Sequence, residues 1–335
     1  MRIPFFLKEI LATGLFILLI FLFLFGNEQL IFFNGSSIPS EWRSIFIIFL
    51  GILLEALPFI LLGAVASSVI QIYMSGEMIK KMIPKNPVAA GVVALVAAVI
   101  TPVCECAIIP VVRRLIQKGV PVHAGAALLC GAPILNFVVF ASTFYAFPIQ
   151  PQIYLGRFIL CMITALITSF FVYLYFAKQP VFRTRKEDLL GSESSMGIKR
   201  GKSKWKGMLH HCANEFFSVG KYFIAGAALA SVAQTYFQAS AFAGAASVPI
   251  VGTGFMMGTA FLLSLCSEAD AFVAASFEQW FLPEAILGFL VYGPILDLKN
   301  TFVMFASFKL KFVFFYIFIV TVVIFSLCLM VGIFF

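Results

Sequence analysis

The sequence TPVCECAIIPVVRR (residues 101–114) places a glutamate between two cysteines inside a long apolar part of the chain. Pro102 disfavours a helical conformation for Thr101, and Pro110 fits best within the first turns of a helix. The stretch therefore predicts an interrupted membrane segment, in which an unwound tip is followed by a half-helix that begins near Cys106.

The composition of the whole chain indicates that this break lies in a membrane. Of 335 residues, 62% are hydrophobic and 11% are charged, and the mean hydropathy is +1.05, whereas about a quarter of a soluble domain is charged. Apolar runs of about 20 residues, long enough to cross a bilayer, recur along the chain. These features predict an all-α polytopic membrane protein. The net charge of +8 comes from basic residues in short loops, which excludes the basic stripe of a nucleic-acid-binding protein.

Apolar runs and turn residues divide the chain into nine membrane segments and four parts. The segments are 5–25, 44–73, 87–118, 121–146, 153–177, 209–238, 248–282, 283–307 and 312–335, with breaks inside 87–118, 121–146, 248–282 and 283–307. The parts are an N-terminal helix with its outer loop (1–43), a first permease repeat (44–177), a cytoplasmic basic linker (178–207) and a second repeat (208–335).

Positive charge predicts the topology, because short cytoplasmic loops are enriched in Lys and Arg. The linker 178–207 is the most basic segment, and Lys80, Arg113 and Lys309 mark three further basic turns. All four lie in the cytoplasm if 87–118 and 248–282 are hairpins, the first open to the cytoplasm and the second to the exterior. This places the N-terminus in the cytoplasm and the C-terminus outside, in a bacterial cytoplasmic membrane.

The two halves of the chain resemble each other. TPVCECA and GAPILN in the first half match LSLCSEADA and GPILDLKN in the second, which pairs Cys104 with Cys266 at an offset of 162 residues and Pro133 with Pro294 at an offset of 161. GAVASSVIQ (63–71) likewise matches GAALASVAQ (226–234). With the charge pattern, this predicts two inverted-topology repeats of four segments each, preceded by one extra helix. Secondary transporters are commonly built in this way, with the substrate at the midplane between the repeats.

Charged residues inside the membrane segments mark the candidate site. Each costs about 2.5–3.5 kcal/mol at the bilayer centre, so each needs a partner or a water-filled cavity. Glu105 lies at the first predicted hairpin tip, and Glu268 lies at the second. We predict one substrate site, where two hairpin tips face two broken helices, with these candidate binding residues: Cys104, Glu105, Cys106, Asn136, Cys266, Glu268, Asp270, Asp297, Lys299 and Asn300.

The cysteines add a chemical preference to this site. In an unwound segment Cys104 and Cys106 point to the same side, and the N–H groups of the following half-helix favour a thiolate. Soft thiolates select soft ions such as Zn(II), Cu(I) or a trivalent metalloid. Cys104, Cys106 and Cys266 are therefore the candidate metal ligands, although cysteines also pack well as small apolar side chains.

These motifs also carry a family resemblance. TPVCECAIIPVVRRLIQKGVPVHAGAALLCGAPILN and LLSLCSEADAFVAASF with YGPILDLKN resemble the bacterial predicted-permease family that contains ArsP-type organoarsenical efflux permeases and YraQ- and YcgR-like proteins, most closely the YcgR-like branch. Seven residues match the signature positions of that family: Cys104, Glu105, Cys106, Cys266, Glu268, Asp270 and Asp297. The resemblance implies an integral permease, thiol contacts to trivalent methylated arsenic in some members, and a separate membrane partner protein.

The predicted function is export of a small solute, such as a soft metal or metalloid, through the site between the repeats. A proton on Glu105 or Glu268 would couple to transport, since a desolvated carboxyl can take up a proton near neutrality. Walker A, GxSxG and HExxH motifs are absent, so we expect no enzyme and no cofactor. Three alternatives stay open: a permease for an organic anion or lipid-linked substrate, a membrane thiol oxidoreductase, and a scaffold subunit of a two-component membrane complex.

Overall fold

The computed structural model describes residues 40–73, 77–78, 83–84, 86–100, 104–177, 179, 181–182, 204–236 and 249–334. The predicted N-terminal helix 5–25 and most of the basic linker lie outside these residues. The described residues contain the helices α1 (Ser40–Tyr73), α2 (Pro87–Ile100), α3 (Glu105–Gln117), α4 (Val122–Gly131), α5 (Phe137–Ala146), α6 (Pro151–Phe176), α7 (Lys204–Tyr236), α8 (Pro249–Leu263), α9 (Asp270–Ala275), α10 (Pro283–Ile295), α11 (Leu298–Ser307) and α12 (Leu310–Phe334).

The all-α membrane architecture is confirmed. Within the described ranges, five stretches are long and apolar enough to span a bilayer: Glu41–Gln71, Pro151–Phe176, Cys212–Tyr236, Pro283–Ser307 and Leu310–Ile333. Four shorter apolar helices, α2, α4, α5 and α8, accompany them. The four interrupted segments of the sequence correspond to the pairs α2–α3, α4–α5, α8–α9 and α10–α11.

The breaks between paired half-helices have a local cause in capping residues. Asn136 and Asp297 precede α5 and α11, and each has an extended backbone. The Asn136 side chain accepts a hydrogen bond from the N–H of Val139, and the Asp297 side chain accepts one from the N–H of Asn300. A side chain that satisfies a first-turn N–H starts a new helix at that point. Asn136 and Asp297 are 161 residues apart, the same offset that separates Pro133 from Pro294.

The helices follow one order in both halves, so that α1–α6 correspond to α7–α12. Contacts within the first repeat recur in the second: α2, α4 and α6 pack on one another, as do α8, α10 and α12. The repeats meet most extensively through α1 with α7 and α6 with α12, and also through α10 with α6 and α4. The hydrophobic core includes α4, α6, α10 and α12.

Two hydrogen bonds show that equivalent helices run in opposite directions. Near the end of α1, the Ser68 hydroxyl donates to the Met208 carbonyl, which lies near the start of α7. After the end of α6, the Val181 carbonyl accepts from the N–H of Lys309, just before α12 begins. The end of α1 thus lies beside the start of α7, and the chain after α6 lies beside the start of α12, as an inverted repeat requires.

The basic turn after α3 lies beside the end of α1 and the start of α7. The Lys118 ammonium donates to the Gln71 carbonyl (2.7 Å), and the Arg114 guanidinium pairs with Glu215 (2.6 Å). The Ser169 hydroxyl, near the end of α6, donates to the His123 carbonyl at the start of α4. These contacts bring the ends of α1 and α3 to the start of α7, and the end of α6 to the start of α4. The side chains of His210 and His211 lie outside the described residues.

Two glycines in equivalent positions bring α1 and α7 against half-helices. A Cβ atom at Gly63 would lie 2.8 Å from the Cα of Ala107 in α3, and one at Gly226 would lie 2.8 Å from the Cα of Lys299 in α11. Glycine at these positions lets two backbones approach closely, as is common between membrane helices. The two glycines therefore fix where α1 and α7 press on the first turns of α3 and α11.

We predict that Gly63→Ala destabilises the protein by about 1–3 kcal/mol, the usual cost of adding a methyl group to a close contact. Gly51→Ala is the matched control on the same helix, because nothing lies within 4 Å of a Cβ at Gly51. Thermal unfolding of both variants in detergent measures the difference. Equal melting temperatures for the two variants would contradict the close contact between α1 and α3.

Candidate substrate-binding site

The first hairpin tip has the unwound start that the sequence predicts. Cys104 has an extended backbone (φ −69°, ψ 165°), and α3 begins at Glu105, one residue before the predicted start. The Cys104 carbonyl accepts hydrogen bonds from the N–H groups of Ala107 and Ile108. Glu105 and Cys106 are buried, so the tip brings a carboxyl and a thiol into the protein interior.

The second hairpin tip, residues 264–269, lies between α8 and α9. Ser264 has a φ of +48°, which is uncommon for a residue other than glycine and marks a sharp change in chain direction. Its hydroxyl accepts a hydrogen bond from the N–H of Leu298 (3.1 Å), the first residue of α11. The Cys266 thiol donates to Glu268 (2.6 Å). The second tip is therefore attached to the start of α11.

Lys299 joins the two tips. Its ammonium donates to the Ser264 carbonyl (2.7 Å) and lies 3.3 Å from the Asp297 carboxyl and 3.5 Å from the Glu105 carboxyl. Lys299, Glu105 and Asp297 are all buried. A charge inside the bilayer is tolerated when it is paired in this way, and this cluster contains one ammonium and two carboxyl groups from opposite repeats.

The three candidate thiols line one small cavity beside this cluster. Its walls are Ile52, Glu55, Ala56, Phe59, Cys104, Glu105, Cys106, Cys266 and Lys299. Glu55 is exposed, so the cavity opens beside α1. Thiols of both repeats thus line one space. In the described part of the chain, however, no group of three or more His, Cys, Asp or Glu side chains is placed to hold a metal ion.

A second cavity lies on another side of Glu105. It is lined by Glu105, Ile108, Ile109, Leu129, Pro133, Pro294, Ile295, Asn300, Met304 and Tyr316. The equivalent prolines of the two repeats, Pro133 and Pro294, therefore meet at the same space. Oε2 of Glu105 and Oδ1 of Asn300 are buried without a hydrogen-bond partner. Glu105 thus contributes to both cavities, with one oxygen near Lys299 and the other unsatisfied.

Asp270 does not join the thiol cavity. Its carboxyl pairs with Arg157 of α6 (2.8 Å), and the same guanidinium donates to the Thr143 hydroxyl (2.8 Å) and the Ser267 carbonyl (3.2 Å). Arg157 is fully buried. The second tip is therefore fastened by two buried cations, Lys299 at its start and Arg157 at its end.

Arg157 is the residue that the sequence analysis missed. It is the lone charged residue in α6, which is otherwise apolar or neutral over 26 residues, and a buried charge in a membrane helix is a functional or structural signal by default. Asn136 and Asp297 lie at the predicted breaks, but Asn136 serves as a helix cap and lines neither cavity. Glu268 also lines neither cavity, and its carboxyl contacts the Cys266 thiol.

Paired half-helices around buried charges, repeated in opposite orientation, define a membrane permease. The chain belongs to the family described as predicted permease (ArsP_1), whose model matches residues 41–333. It is 39% identical over 284 residues to UPF0718 protein YcgR of Bacillus subtilis, covering 85% of this chain and 95% of that protein. It is 33% identical over 302 residues to a Streptococcus mutans protein whose name describes a two-component membrane permease complex subunit, covering 89% and 98%. No solved structure gives a significant match.

We predict that Arg157→Met lowers the stability of the protein by about 3–5 kcal/mol, because it leaves the Asp270 carboxyl buried without its cation. Adding Asp270→Asn removes that charge and should restore most of the loss. Thermal unfolding of the single and double variants in detergent measures both effects. A double variant no more stable than Arg157→Met would show that the ion pair is not what fastens the second tip.

Proposed function

We propose that the chain moves a small thiophilic solute across the cytoplasmic membrane through the cavity lined by Cys104, Cys106 and Cys266. The observation that carries this proposal is the common cavity itself, since its thiols come from the tips of opposite repeats. In inverted-repeat transporters the substrate site lies at this place. Soft sulfur ligands favour soft metals and metalloids over hard cations.

The charge of the cavity narrows the solute further. Lys299 and Glu105 of the wall pair with each other, so a bare divalent metal gains no net charge attraction from this pair in return for the hydration that it loses. A trivalent metalloid carrying hydroxyl or methyl groups is uncharged and avoids this cost. It can also exchange its oxygen ligands for one or two thiols, which fits a cavity that is not arranged as a preformed metal site. We therefore favour an uncharged metalloid species as the cargo.

Alternating access would require the contact between the two hairpin tips to break. The contact between Lys299 and Glu105 joins α11 of one repeat to α3 of the other. When the repeats move apart, this contact must break, and Glu105 then needs a proton or another cation to remain inside the membrane. Separation of the tips would also separate Cys266 from Cys104 and Cys106, which releases a solute held between them.

We also propose an orientation of this permease in the membrane and a second subunit. Lys118 contacts the end of α1 and Arg114 contacts Glu215 of α7, and the positive-inside rule assigns this end of the molecule to the cytoplasm. By analogy with its Streptococcus mutans relative, the chain works with a second membrane subunit. Its role is transport and not catalysis.

One observation favours a second candidate function. Cys104 and Cys106 share a cavity wall, and two thiols separated by one residue can cycle between dithiol and disulfide. A membrane thiol oxidoreductase would show this disulfide in growing cells, and differential alkylation of Cys104 and Cys106 detects it. A permanently reduced pair leaves the permease as the function.

Solute uptake into everted membrane vesicles tests the transport proposal. With phenylarsine oxide, methylarsonous acid, Zn²⁺ and Ag⁺ as probes, we expect uptake of a trivalent arsenical that depends on this chain. Cys104→Ser/Cys106→Ser and Cys266→Ser should each reduce the rate at least about tenfold, equivalent to about 1.4 kcal/mol. Cys212→Ser is the control, because Cys212 of α7 lies outside the cavity wall. Uptake of all four probes that is unchanged by the cavity substitutions would contradict the thiol site.

A further inference from the structure

The inverted repeat contains two equivalent pairs of half-helices, α3 with α11 and α9 with α5. In the described residues, the long helices α1 and α7 pack over only the first pair. α3 contacts α11, and α9 contacts α5 in the same way. The long helices α1 and α7 pack on each other and on the first pair, α1 against α3 and α7 against α11. Neither long helix has comparable packing against α5 or α9 in the described residues. The face formed by α5 and α9 is therefore the uncovered counterpart of a covered one.

Exposure at equivalent residues shows the difference. Val138 is the second residue of α5 and is 53% exposed, whereas Lys299 is the second residue of α11 and is 4% exposed. Phe137, before Val138, is 82% exposed, and its counterpart Leu298 is half-buried. The start of α11 is sealed by Gly226 of α7, which approaches the Lys299 backbone. No equivalent helix of the described chain approaches Val138.

The uncovered start of α5 lies near the middle of the bilayer, where lipid offers no hydrogen-bond partner for its backbone N–H groups. α4 and α5 have ten residues each, or about 15 Å on either side of the break, so the break falls near the middle of a hydrocarbon core about 30 Å thick. The first-turn N–H groups of a helix have no partners within that helix. The Asn136 side chain accepts a hydrogen bond from one of these groups, the N–H of Val139. The break itself, residues 131–136, is buried in the protein, but the helix start at Phe137 and Val138 is exposed, and unsatisfied backbone at this depth is tolerated only against protein or water.

Water is a poor cover for this face, because its side chains are apolar. Phe137, Val138, Phe144 and Tyr145 of α5 and Phe272 of α9 are all exposed. A water-filled vestibule at the start of a half-helix would be lined by polar groups, as in channels and transporters with aqueous paths. Protein is the cover that suits both the apolar side chains and the backbone of the break.

We infer that the face formed by α5 and α9 binds a pair of transmembrane helices from a different membrane protein, with a small residue packed against Val138. The face formed by α3 and α11 is the template for this inference. There α1 and α7 pack over the half-helices, and Gly226 of α7 lies against Lys299, the second residue of α11. A second copy of the chain cannot supply the same pair, because its Gly63 and Gly226 already pack on α3 and α11. Residues 1–39 supply a single predicted helix. The inference rests on the proposed two-subunit setting and does not depend on the solute.

Site-specific photo-crosslinking in the membranes of the native host tests the inference. Benzoylphenylalanine replaces Phe137 or Tyr145 on this face, and Leu174 or Phe318 as equally exposed apolar controls on α6 and α12. We expect Phe137 and Tyr145, but not the controls, to link to one other membrane protein. The linked peptide should lie in a transmembrane helix with Gly, Ala or Ser within one turn, and co-expression of that protein should yield a stable complex. Links only to lipid, to residues 1–39 or to a second copy would overturn the inference.

A substitution separates this surface from the transport site. Val138→Trp fills the position where the small residue packs, and Phe318→Trp is the matched control on an exposed face of α12. We expect Val138→Trp to abolish co-purification of the crosslinked protein while the chain keeps its melting temperature in detergent. Co-purification that survives Val138→Trp would overturn the inference. The substitution leaves the thiol cavity intact, so failure here is distinguishable from failure of the thiol transport proposal.

Discussion

The ammonium of Lys299 holds the centre of the molecule together. It contacts the Ser264 carbonyl of the second hairpin tip, the Asp297 carboxyl of its own break and the Glu105 carboxyl of the opposite repeat. Each of these groups would be costly in a membrane without the others. Because the contacts join both repeats, Lys299 links the two sides of the thiol cavity. The same contacts are the ones that must change if the repeats move.

The two hairpin tips are held differently, and this gives the inverted repeat its asymmetry. The first tip leads into α3, a helix of 13 residues that packs under α1. The second leads into α9, a helix of six residues fastened between Lys299 and Arg157. A short helix with a charge clamp at each end of its tip has fewer packing contacts to lose when it moves. The first tip is thus held mainly by helix packing, and the second mainly by buried ionic contacts.

Much of this arrangement could be predicted from the sequence, because broken helices have local causes. Pro102, Asn136 and Asp297 mark the breaks, and the repeated motifs pair Cys104 with Cys266 across the chain. The pairing of Arg157 with Asp270 was missed because no local motif joins residues 113 positions apart. The packing of α1 and α7 on one pair of half-helices could not be predicted either. Membrane helices are apolar toward lipid and toward protein alike, so their periodicity does not show which face is covered.

The tips of opposite repeats meet at one cavity, and a thiol-to-thiol linkage across this cavity tests their proximity. A protease site placed within residues 186–200 lets the two repeats be cut apart after labelling. A chain in which Cys104 and Cys266 are the only cysteines, treated in membranes with a short bis-thiol reagent, should keep the cut halves as one band on a denaturing gel. A chain with only Cys104 and Cys328 should give two bands. Two bands from the Cys104 and Cys266 chain would contradict the shared cavity.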